Sequence, residues 1–157
     1  MLILLILSGF LMACSNQKPA ESKAAASSVT ADDDNDSVTT GELVLNNGAR
    51  WRVDAITNYH VNDLQAISKR FDKGRDRSLA AYKKARLDLQ AGINKMIADC
   101  KMTGADHEAL HKWLAPLIGR VAELEKAVTT EDAGEVYGGI KSQLDRYNQY
   151  FESLSKR

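Results

Sequence analysis

From Val53 onward, apolar residues recur at intervals of three and four, and each run closes on a polar or glycine-containing break. That spacing lines one face of an α-helix. The first stripe is Val53, Ile56, His60, Leu64, Ile67 and Phe71, closed by Asp72-Lys73-Gly74-Arg75-Asp76. The second is Leu79, Tyr82, Arg86, Leu89, Ile93, Met96 and Cys100, closed by Thr103-Gly104. The third is His107, Leu110, Leu114, Leu117, Val121, Leu124 and Val128. Thr129-Thr130 then reads as a cap, with Glu131 and Asp132 in a first turn where the helix dipole favours acids. The fourth stripe is Tyr137, Ile140, Leu144, Tyr147, Phe151 and Leu154. Four helices joined by short loops predict an all-α, up-down-up-down four-helix bundle.

Three local features modify that picture. Leu43-Val44-Leu45 and Trp51-Arg52-Val53 flank Asn46-Asn47-Gly48, and an Asn-Gly pair between apolar runs predicts a short β-hairpin or an extended cap. Pro116 falls inside the third helix, which predicts a kink just past His111. Gly138-Gly139 weakens the start of the fourth helix, so that end either packs closely or frays.

The N-terminal part has a different character. Residues 1–13 are almost wholly apolar, too few to span a bilayer as a stable helix, and they end in Leu11-Met12-Ala13-Cys14. An apolar run before small residues reads as a signal peptide. Leu-x-Ala-Cys resembles the lipobox of bacterial lipoproteins, although no Lys or Arg precedes the apolar run. The resemblance implies that Cys14 becomes the lipidated first residue, which makes the membrane a partner through a lipid anchor. It also implies a periplasmic or cell-surface location. Ser15 after the cysteine fits outer-membrane sorting in that family. The alternative is a short hydrophobic anchor that is not processed.

Residues 15–41 are rich in Ser, Ala, Thr and Asp and hold almost no large apolar side chain. Such a segment cannot offset its ordering entropy by burial, so it reads as a disordered tether. Its acidic run, Asp32-Asp33-Asp34-Asn35-Asp36, fails as a calcium loop. Ser37 stands where the glycine belongs and Leu43 where the terminal Glu belongs. The expected organisation is a signal peptide with lipidated Cys over 1–14, a tether over 15–41 and the bundle over 42–157.

The chain carries 21 basic and 21 acidic residues. The tether holds five of the acids and two of the bases, Lys18 and Lys23, which leaves the bundle slightly positive. That excess is too small and too evenly spread for nucleic acid binding. About 115 residues remain to build one domain with a core.

Beyond residue 14 the chain has three His, two Met and one Cys. Five of these six are Met96, Cys100, Met102, His107 and His111, and the sixth is His60. The bundle topology brings the start of helix 1, the end of helix 2, the start of helix 3 and the end of helix 4 together, so all six fall at one end. Singly, His60 reads as a core histidine, Met96 as core filler and Cys100 as a small buried hydrophobe. Jointly they form a set of soft sulfur and imidazole donors, which suits copper rather than calcium or magnesium. An unpaired thiol in an oxidising compartment points the same way. His107 and His111 stand four apart and share a helix face. The expected inner ligands are Cys100, His107 and His111, with Met102 next, then His60, and Met96 last. Tyr147, Tyr150 and Phe151 are placed to shield the site. Cys, two His and a weak Met is also the ligand set of blue copper sites, which normally sit on β-folds.

The segment Cys100-Lys-Met102-Thr-Gly104-Ala-Asp-His107-Glu-Ala-Leu110-His111-Lys-Trp113-Leu114 resembles small exported helical-bundle proteins of Bacteroidetes-type bacteria. Those proteins also carry a segment like Leu45-Asn46-Asn47-Gly48-Ala-Arg-Trp51-Arg-Val53. The resemblance implies that Cys-x-Met and His-x3-His act as one motif, and it names neither metal nor reaction.

No acid–base pair, nucleophile elbow or phosphate loop is visible, so an enzyme is not expected. The leading reading is a lipid-anchored extracytoplasmic copper protein for metal handling or electron transfer, with a metal donor or acceptor protein as partner. One alternative is a structural or interaction lipoprotein without metal. Another is a haem-b bundle with Met and His as axial ligands. Covalent haem is excluded, since no Cys-x-x-Cys-His occurs.

Overall fold

The computed structural model describes residues 42–154. The segments read from sequence as a signal peptide ending in Cys14 and as a tether lie outside them. Each predicted break becomes a helix boundary. After strand β1 (Trp51–Val53), helix α1 (Ala55–Lys73) starts at Asp54, whose carboxylate accepts the Thr57 N–H at 2.7 Å. Helix α2 (Leu79–Asp99) starts at Ser78, whose hydroxyl accepts the Ala81 N–H at 3.2 Å. Helix α3 (Ala105–Lys126) follows Gly104, which sits at φ 72° and ψ −162°, a region open essentially to glycine alone. Helix α4 (Thr130–Asp145) is capped by Thr129, and Glu131 and Asp132 occupy its first turn as expected.

The helices pack α1 on α2, α2 on α3, α3 on α4 and α4 back on α1, the predicted four-helix bundle. Leu64, Leu89, Ile93, Leu117, Val121, Leu124, Ile140 and Leu144 are fully buried between them. A side chain at Gly92 would stand 2.7 Å from Leu64 Cδ2, so the glycine sets how closely α1 and α2 approach. Two backbone carbonyls near the end of α3, those of Leu124 and Glu125, accept from the Lys83 ammonium of α2, a cation placed where the helix dipole favours it.

The stripes drift in places. On α1, Thr57 and Ser68 are buried while Ile56 is exposed. Ser68 is tolerated inside because the Tyr137 hydroxyl lies 3.2 Å from its own. After α3, Ala127 turns inward and Val128 stays exposed. The third helix continues through Pro116, which lies on its exposed side. The Arg120 side chain lies over Gly139, where a Cβ would meet its guanidinium.

The cap differs most from the helical pattern. Asn46 and Ala49 exchange two backbone hydrogen bonds of 2.9 Å around Asn47 and Gly48, both at positive φ. The Asn-Gly turn therefore forms. Its flanking runs do not pair with each other; the chain enters the bundle as an extended cap. β1 instead pairs in parallel with β2 (Phe151–Ser153), with Trp51 opposite Phe151 and Val53 opposite Ser153. Phe151 and Leu154 thus leave the fourth helix, contrary to the stripe. α4 ends at Asp145, one further turn forms α5 (Tyr147–Tyr150), and the chain then straightens. The physical reason is that β1 offers backbone partners, and the Leu154 N–H bonds the Val53 carbonyl at 2.8 Å. Phe151 still reaches the core, stacked on Tyr147 at 5.0 Å. Burial, with a smaller push from Asp54, raises the Tyr147 phenol well above its ordinary pKa, so it packs as a neutral ring.

Candidate metal centre

The last turn of α2 faces the first turns of α3. Met96 and Cys100 are one turn apart on α2 and its cap, and the Cys100 N–H bonds the Met96 carbonyl at 3.0 Å. The four residues after Cys100, ending in Gly104, reverse the chain. The Gly104 carbonyl then accepts the N–H groups of His107 and Glu108, which starts α3. Asp106 fixes that start from outside, since its carboxylate accepts the Arg52 N–H of β1 at 2.9 Å. The β1–β2 pair is therefore tied to the helix that carries His107 and His111.

Between these helix ends lies a cavity of about 220 Å³, lined by Met96, Ile97, Cys100, His107, Leu110, His111 and Leu114. Four of the six expected donors share it. Met96 is 1% exposed, Cys100 and His107 are half-buried and His111 is exposed, so the donors grade from core to solvent. The His107 and His111 rings lie 4.2 Å apart.

Two expected ligands do not line the cavity. Met102 packs half-buried against the core instead. His60 is buried, and its Nε2 donates to the Asp99 carboxylate at 2.8 Å, which ties α1 to the end of α2. That bond takes up the ring nitrogen that faces Asp99. The aromatic shield is also placed elsewhere. Tyr147 and Phe151 pack on Trp113, and Tyr150 accepts from Arg146. Ile97, Leu110 and Leu114 provide the apolar wall in their stead.

Among the described residues, no three His, Cys, Asp or Glu side chains converge as a formed metal site would require. The donors stand on the two helices that face each other across the cavity. No family model, curated protein or solved structure matches this chain. The functional reading therefore stands on this chain's own geometry and chemistry.

Sequence reasoning missed Asp99 and Ile97 as parts of this region, whereas Leu110 and Leu114 already stood within the Cys100–Leu114 segment. Asp99 carried a usable signal, being the acid next to Cys100 at the end where His60 needs a partner. A larger cavity of about 470 Å³ lies between the end of α1 and the start of α2, with Phe71, Arg70, Arg75 and Lys84 in its wall. It holds no sulfur or imidazole and lies away from the candidate centre.

Proposed function

We propose that this chain is a lipid-anchored, extracytoplasmic protein that binds copper in the cavity between α2 and α3, and that it handles the metal rather than catalysing a reaction. One observation carries the reading: Met96, Cys100, His107 and His111, two sulfurs and two imidazoles, line one small cavity. That donor set suits copper, while structural zinc sites prefer several thiolates. The volume also favours an ion over haem, because pockets for drug-sized ligands start at roughly 300 Å³. The anchor rests on the Leu-x-Ala-Cys motif at Cys14 and on the apolar run before it.

The structural-lipoprotein reading draws support from the separation of Cys100, His107 and His111 on two walls. Metal retention separates the two. The full chain carrying Cys14→Ser, so that Cys100 is the sole thiol, is loaded with copper under reducing conditions and dialysed. The parent is expected to keep one copper per chain. Cys100→Ala and His107→Ala are each expected to lose affinity by about 100-fold, or roughly 2.7 kcal/mol. Copper at background level in the parent would leave the structural reading in its place.

A further inference from the structure

Resting on the copper reading, we infer that the site selects the monovalent ion and that Met96, not Met102, supplies the thioether. Met96 is 1% exposed yet forms part of the cavity wall, whereas Met102 lies outside it. A thioether is a neutral, soft donor that matches Cu(I) and contributes little to Zn(II).

The chemistry of the wall points the same way. The cavity wall holds one group able to carry negative charge, the Cys100 thiol, and no carboxylate. Of the acids next to the wall residues in sequence, Asp99 bonds His60, Asp106 accepts the Arg52 N–H, and Glu108 is not part of the wall. The remaining wall is Ile97, Leu110 and Leu114. Two sulfur donors beside two imidazoles suit the soft monovalent ion, whereas Zn(II) gains little from the thioether. α2 thus contributes the sulfur side and α3 the imidazole side, with exposed His111 at the solvent edge where the ion enters and leaves.

The test is competition with a chromogenic Cu(I) chelator, alongside Zn(II) titration, on the full chain carrying Cys14→Ser. Met96→Leu nearly conserves volume and should cost under about 1.5 kcal/mol of stability, which circular dichroism checks. It is expected to weaken Cu(I) at least 10-fold and to leave Zn(II) affinity within twofold. Met102→Leu, the same exchange away from the cavity, is expected to leave both unchanged. If copper is lost in Cys100→Ala but Met96→Leu binds Cu(I) as the parent does, this inference fails and the copper reading stands. An equal loss in Met102→Leu, or a parent that prefers Zn(II), also overturns it. A parent that retains no metal overturns both.

Discussion

Replacing Trp113 with Ala is expected to destabilise the bundle by about 3–5 kcal/mol, enough to leave little folded protein if the starting stability is typical. Trp113 is 1% exposed and meets Tyr147 edge-on at 5.1 Å. It also joins α3 to α4 by a reciprocal pair of hydrogen bonds. Its Nε1–H donates to the Gln143 carbonyl at 3.1 Å, and the Gln143 amide donates to the Trp113 carbonyl at 2.7 Å. Truncation opens a cavity and removes the indole donor in one step. Urea unfolding followed by circular dichroism measures the cost. A loss below about 1 kcal/mol would mean that the indole is not the anchor described here.

Phe151→Ala is expected to cost a similar amount, about 3–5 kcal/mol, although the residue lies close to the end of the described chain. Chain-end positions are ordinarily tolerant. Here the phenyl ring is 1% exposed, stacks on Tyr147 with an interplanar angle of 17°, and belongs to the strand that pairs with β1. Its removal loosens the contact between β1 and β2, and with it the Arg52–Asp106 hydrogen bond that steadies the start of α3. The same unfolding measurement reads the stability. Near-ultraviolet circular dichroism reads the loss of the ordered aromatic cluster. Unchanged stability would show that the parallel pair contributes nothing to closing the bundle.

The helices were legible because Leu64, Leu89, Ile93, Leu110, Leu117, Leu124, Ile140 and Leu144 keep a three-and-four rhythm, and all are buried. Breaks at Gly74, Gly104 and Thr129 carried their own chemistry as caps. The parallel strand pair was not legible, because it depends on the Val53 backbone meeting Leu154 from the far end of the chain. Phe151 kept the helical spacing even though its backbone is extended, so periodicity alone assigned it wrongly. Trp113 was seen only within a motif, since it flanks the stripe through Leu110 and Leu114 while lying just as deep.

The candidate site was partly legible. Four of the donors line the cavity between α2 and α3, and His60 bonds Asp99, the residue next to Cys100. The order of the ligands could not be read from the spacing of the stripes. Met96 and Met102 are six residues apart, and only the end of α2 at Asp99 decides that the first faces the cavity and the second packs elsewhere. His60 sits on the expected face, but the adjacent Asp99 takes its ring nitrogen.

X-ray absorption at the copper edge of the loaded, reduced full chain carrying Cys14→Ser tests the central claim most directly. The account predicts sulfur and imidazole nitrogen together in the inner shell, with sulfur reduced in Cys100→Ala and again in Met96→Leu. A shell of oxygen and nitrogen alone, unchanged in both variants, would contradict it.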